Sequence, residues 1–135
     1  MRITQEADYA VRIIDCIARG PGRMDARSIS ETTGVTLRFT LKILRKLMQH
    51  HIVRSFQGVQ GGYELARPPH QINMREVIEA VDGPICISRC VSDELSCSLR
   101  ENKELCYYHS VFAEISQAIR SRLESVTFRG PSRDV

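Results

Sequence analysis

Apolar residues recur along most of this chain in short stretches, and the breaks between stretches are rich in glycine, proline or polar residues. Thr4 is placed to cap a helix reaching about Arg19, where Gly20-Pro21-Gly22 stops it. Ala7, Ala10, Val11, Ile14, Ile17 and Ala18 recur at helical spacing and form its inner stripe. Cys16 lies beside that stripe and reads as a small buried hydrophobe. Asp25 can cap a short second helix from Ala26 to Thr32, and Gly34 follows as a turn residue. Thr36 then opens a third helix from Leu37 to about His50, with Leu37, Leu41, Leu44 and Met48 as its expected inner row. Two helices joined by a tight glycine-containing turn have the layout of a helix-turn-helix.

Two short segments, Ile52 to Phe56 and Tyr63 to Ala66, flank a glycine-rich stretch and read as a β-hairpin. Its tip is too polar for a core role, so it stands as a wing beside the helix-turn-helix. Arg67-Pro68-Pro69 breaks the pattern. Asn73 can cap a fourth helix carrying Met74, Val77, Ile78 and Val81 on its apolar side, with Glu76 spaced as a capping-box partner. Asp82-Gly83-Pro84 ends it. A last helix is expected from near Cys106 to about Phe128, with Phe112, Ile115, Ile119, Leu123 and Val126 as its stripe. That stripe is long for the end of a small chain, and packing on its own domain competes with pairing against a second copy; a homodimer is the favoured reading. The expected fold is mainly α with a small β-hairpin. It comprises a winged helix-turn-helix domain (1–67), a linker and connecting helix (68–84), a cysteine-rich loop (85–106), a dimerisation helix (107–128) and a flexible tail (129–135).

Charge adds a direction. Residues 1–67 hold 11 Lys and Arg against 6 Asp and Glu, whereas residues 68–135 hold 8 against 10, so the basic half is the one with the helix-turn-helix. Within the third helix Arg38, Lys42 and Arg45 share one side at spacings of four and three. Such a run is also what a merely solvated face looks like. The wing favours double-stranded DNA, because Gln57, Gln60 and the bare backbone at Gly61 suit a minor groove or phosphates, and Arg54 adds charge at its base. Thr36 and Arg38 are then the candidates to reach base edges, with Phe39 and Thr40 offering apolar contact to thymine methyls. The apolar positions near the N-terminus are interrupted by Glu6, Asp8, Arg12 and Asp15, and no apolar run reaches membrane-spanning length. A cytoplasmic protein without a membrane partner is expected. No base-and-orienter set and no glycine-rich phosphate loop at a strand–helix junction points to an enzyme.

In a reducing compartment grouped cysteines are more often ligands than structural disulfides, though disulfides remain an alternative. Cys86, Cys90, Cys97 and Cys106 fall within 21 residues, followed closely by His109. Soft thiolates grouped this way select zinc or an iron–sulfur cluster. The wide spacing departs from the two close pairs of a zinc knuckle, yet spacing alone leaves both open.

Four segments in this order, MRITQEADYAVR, ISETTGVTLRFTLKILRKLMQHHIV, GVQGGYELARPP and MREVIEAVDGP, resemble the Rrf-two family of winged-helix transcription regulators. The resemblance covers about residues 1–128, and the GGYxLA wing and EAVDGP helix end are its most specific parts. It implies a dimer with a long crossing C-terminal helix that usually represses genes, and a dimer with two recognition helices is expected to read an imperfect palindrome. In the cluster-binding branch three cysteines precede that helix, and Cys90, Cys97 and Cys106 match them. The resemblance offers His109 or Asp8 of the other subunit as a fourth ligand to a 2Fe-2S or 4Fe-4S cluster, and Cys86 is an additional cysteine that competes for the role. The implied signal is redox state, nitric oxide or iron. The alternative is a zinc-stabilised or cluster-free repressor controlled by a protein partner or small ligand.

Overall fold

A computed structural model of the chain describes residues 2–91 and 106–129. Helix α1 (Gln5–Arg19) begins where the Thr4 hydroxyl accepts a hydrogen bond from the Ala7 amide at 3.1 Å, with Glu6 and Asp8 at the positive end of the helix dipole. Helix α2 (Ala26–Thr33) is capped by the Asp25 carboxylate, which accepts from Ser28 N–H at 2.8 Å and is held below the usual carboxylate range mainly by that bond. Gly34 closes α2 in the left-handed region, at φ 76°, where only glycine is unstrained. Helix α3 (Leu37–Gln49) follows at once, capped by Thr36.

The core lies where α1, α3 and α4 (Met74–Asp82) meet. Ile13, Ile14, Ile43, Leu44, Leu47, Ile52, Ile72 and Val77 are all sealed from solvent. In α1 the stripe includes Ile13 in place of the expected Val11, which is only partly buried. The inner row of α3 also differs from expectation. It is Thr40, Ile43, Leu44 and Leu47, whereas Leu37 and Leu41 are 38% and 42% exposed. Both rows fit a helical period. Packing against α1 and α4 selects the β-branched Ile43 and the Leu47 side and turns Leu41 outward. Thr40 is fully buried, with its hydroxyl donating to the Val35 carbonyl at 3.4 Å, so it offers nothing to a thymine methyl.

Strands β1 (Val53–Phe56) and β2 (Gly62–Leu65) form the antiparallel hairpin, in register from Val53↔Leu65 to Phe56↔Gly62. Met24, ahead of α2, exchanges backbone hydrogen bonds with Tyr63 at 2.7 and 3.0 Å and so fastens the base of the wing. This approach requires glycine next door: Gly62 has φ 134°, and a Cβ there would lie 2.8 Å from the Met24 carbonyl oxygen.

A short 3-10 turn (Pro69–Gln71) leads to α4. The Asn73 side chain accepts from Glu76 N–H at 2.9 Å, so the predicted cap forms. The reciprocal half does not: the Glu76 carboxylate takes the Asn73 side-chain amide and Arg67 instead of the Asn73 backbone N–H, while the flanking Ile72 and Met74 backbone is bridged elsewhere. The partner there is the chain's end. Helix α5 (Tyr107–Glu124) stops four residues before the predicted Phe128. Residues 126–128 run extended against 72–74, through Met74 N–H to Val126 O at 2.9 Å and Phe128 N–H to Ile72 O at 3.1 Å. Val126, expected on the helical stripe, lies in this extended stretch, and Phe128, expected as the helix end, is buried in the core.

Candidate nucleic-acid interface and cysteine site

The outer side of α3 is built on a helix fixed from beneath by Ile43, Leu44 and Leu47. Arg38, Leu41 and Arg45 are exposed along one ridge at spacings of three and four. Among the described residues neither arginine forms an ion pair, so both guanidiniums are available to an anion. Lys42 is different. Its ammonium donates to Glu6 Oε1 at 2.6 Å, and Lys46 donates to Glu6 Oε2 at 2.9 Å, which ties α3 to the first turn of α1. The Glu6 carboxyl is held below its usual range by the hydrogen bond from Lys42 and then that from Lys46. The three cations expected to act together are therefore two free and one paired. The Thr36 hydroxyl is exposed but accepts from Phe39 N–H at 3.3 Å as the α3 cap. The Phe39 ring packs edge-on against Tyr9, with centroids 6.2 Å apart, and is 39% exposed.

The wing tip presents Gln57, Val59 and Gln60 to solvent, Val59 wholly exposed. Gly61 N–H donates to Gly58 O at 3.0 Å, and a Cβ on Gly61 would lie 2.5 Å from the Phe56 carbonyl oxygen, so the turn admits no side chain there. Arg54, expected to add charge, pairs with Glu64 at 3.1 Å. Arg23 went unnoticed in the sequence. Its guanidinium stacks 3.4 Å from the Phe56 ring centroid, reaches Glu64 at 3.4 Å and donates to the Gln60 carbonyl at 3.3 Å. It lies 41 residues from Glu64 in the chain, and only the Met24–Tyr63 bridge brings it there.

Cys86, Cys90 and Cys106 are half-buried, and none of the four described cysteines is bridged to another. Cys90 sits in a 3-10 turn (Arg89–Val91) that packs against α5, with its sulfur 3.2 Å from the Ser88 hydroxyl. The preceding segment is laced to the same helix by Ile87 N–H to Ser116 Oγ at 3.0 Å and Arg120 to Ile85 O at 2.7 Å. Cys106 is the N-cap residue of α5, and its side chain makes no capping bond. His109 lies one turn further on, with Nδ1 buried and without a hydrogen-bond partner among the described residues. Cys97 falls outside the described residues. Among those described, no three Cys, His, Asp or Glu side chains converge as a metal-binding group. What is present, two thiols on packed elements and an imidazole nitrogen without a partner among the described residues, has the chemistry of a soft-metal donor set. Asp8 pairs with Arg12 on its own helix at 2.8 Å. Cys86 instead lines a cleft of about 440 Å³ between the start of α1, the end of α4 and α5, together with Arg2, Ile3, Asp82 and Ile119. Cys16 packs beside the core, its sulfur 3.9 Å from that of Met24, and burial, then Asp15, pushes its thiol up, in keeping with an inert packing role.

A glycine-linked helix pair on a three-helix core, followed by a hairpin, defines a winged-helix DNA-binding regulator. Residues 3–130 match the family model described as "Rrf2: Iron-dependent Transcriptional regulator", and the chain belongs to that family. It is 32% identical over 129 residues to the HTH-type transcriptional regulator IscR of Sodalis glossinidius, covering 94% of this chain and 76% of that one. Two solved structures share the fold. CymR, the global cysteine regulator of B. subtilis, has a TM-score of 0.72 at 24% identity, covering 94% of this chain and 92% of its own. T. potens IscR has a TM-score of 0.72 at 23% identity, covering 94% and 82%. No helix among the described residues is long and apolar enough to cross a membrane.

Proposed function

We propose that the chain is a cytoplasmic, homodimeric repressor that reads an imperfect palindrome in double-stranded DNA and reports redox, nitric oxide or iron status through an iron–sulfur cluster. Cys90, Cys97 and Cys106 would hold the cluster, with a fourth ligand from Asp8 of the partner subunit, His109 or Cys86. The cluster, of 2Fe-2S or 4Fe-4S type, would supply a cross-link that oxidants and nitric oxide dismantle. The observation that carries the reading is at the head of α5. Cys106 begins that helix, Cys90 packs on it, and the buried His109 Nδ1 has no partner among the described residues.

The chain's own residues supply the coupling. Ser116 and Arg120 fasten the segment before Cys90 to α5, so displacement of either cysteine acts on one helix. Tyr107, Tyr108, Phe112 and Ile115 leave an apolar face of α5 open, and a second copy would cover it and fix the distance between two α3 helices. Arg38 and Arg45 would then meet the groove, while Gln57, Gln60 and Gly61 meet the adjacent backbone. The decisive experiment is oxygen-free purification with an absorbance spectrum, iron and sulfide counts, and operator binding by Cys106→Ser. Visible absorbance and a changed operator affinity are expected; a colourless, iron-poor protein, or unaltered binding by the variant, would sink the cluster.

The cleft beside Cys86 favours a second reading, in which the same scaffold carries no cluster and answers to a small ligand or a protein partner. A colourless preparation holding about one zinc per chain would mark the zinc-stabilised form of that alternative.

A further inference from the structure

We propose that Glu6 is an internal substitute for a DNA phosphate, which withholds Lys42 from the duplex and so sets how strongly this chain binds DNA of any sequence. The proposal rests on the DNA-binding reading of α3 above. Its geometry is specific. The two carboxylate oxygens of Glu6 each take one ammonium of α3, Lys42 at 2.6 Å and Lys46 at 2.9 Å, as the two free oxygens of a phosphodiester would. The lysines are not equivalent. Lys46 also reaches the Val81 carbonyl at 3.4 Å and its side chain is 33% exposed, so it stays anchored if Glu6 is lost. Lys42 has no other partner among the described residues and its side chain is 53% exposed, on the flank next to Arg38 and Arg45. Cutting its tie to Glu6 costs little in water but adds a third cation to the DNA-facing side.

Each phosphate neutralised by a protein cation releases condensed counterions, which makes the logarithm of affinity fall with the logarithm of salt by about 0.9 per contact. With Lys42 held by Glu6, only the arginines of α3 contribute. Removing the carboxylate charge adds one contact.

The test uses the full chain and a fluorescent random-sequence duplex, titrated across a salt series. Glu6→Gln should bind about fivefold to tenfold more tightly near 0.1 M salt and steepen the salt slope by about one. Lys42→Gln alone should leave the slope unchanged, whereas Lys42→Gln combined with Glu6→Gln should abolish the gain. Asp15→Asn makes the same charge change on α1, freeing Arg19 at the far end of the helix, and should leave the slope as it is. An unaltered or shallower slope in Glu6→Gln, an equal gain in Asp15→Asn, or a lower slope in Lys42→Gln alone would overturn the proposal while leaving DNA binding intact. Wild-type chain that binds no duplex at any salt would instead overturn the DNA reading, and this inference with it.

Discussion

The helix-turn-helix half and α5 solve the problem of burying apolar surface in opposite ways. In the first, α1, α3 and α4 close over one another until Ile13, Ile14, Ile43, Leu44 and Leu47 are sealed completely. In α5 only Ser116 is fully buried, while Tyr107 and Tyr108 are exposed by 73% and 69% and Phe112 and Ile115 remain partly uncovered. One region is closed by its own packing; the other leaves large apolar side chains exposed, and the proposed dimer would cover them. Apolar burial contributes roughly 25 cal/mol per Å², so the open face of α5 adds little to folding and, in the proposed dimer, would contribute to association.

The comparison breaks hardest at Leu44. Leu44→Ala should cost about 3–5 kcal/mol in denaturant unfolding, because a closed core cannot collapse around the void. If the loss is under about 1 kcal/mol, the packing account of the first half is wrong. Ile115→Glu attacks the other region. We expect the proposed dimer to dissociate about 100-fold more readily in sedimentation, since a charge buried without a partner is costly, with the unfolding of the dilute protomer little changed. A variant that assembles normally would place the contact elsewhere. Arg38→Ala leaves both regions folded and should lose about 1–3 kcal/mol of operator binding, measured by anisotropy. The smallest effect is expected at Thr36, whose oxygen caps α3. Thr36→Ala should lower stability by about 1 kcal/mol and Thr36→Ser should restore it; loss of DNA binding without loss of stability would return Thr36 to base reading.

Local signals were legible in the sequence because they depend on neighbours. Thr4, Asp25, Thr36 and Asn73 each cap the helix they precede, and Gly34 closes α2 as its position implied. Choices between two equally periodic faces were not legible. Leu37 and Leu41 share a helical row as well as Ile43 and Leu47 do, and only the approach of α1 and α4 decides between them. Long-range partners were hidden for the same reason. Nothing near Lys42 in the chain announces Glu6, 36 residues away, and nothing near Arg23 announces the wing. The cysteines show the boundary most clearly. Their chemistry was evident from residue type, whereas the contact of the Cys90 turn with α5 and the lack of a partner for His109 Nδ1 among the described residues came from packing.

The return of residues 126–128 to the bridge at Asn73, just ahead of α4, gives α5 a fulcrum. With Phe128 seated in the core, the C-terminal end of the helix is pinned to the reading head, while Cys106 lies at the opposite end of 18 helical residues. At about 1.5 Å per residue that arm is about 27 Å long, so a tilt of about 5° at the pivot sweeps the Cys106 end through about 2 Å. Shifts of that size are what bistable helical interfaces amplify. Under the proposed cluster reading, a slight slackening around one sulfur would reach the reading head through this arm and through its ties at Ser116 and Arg120.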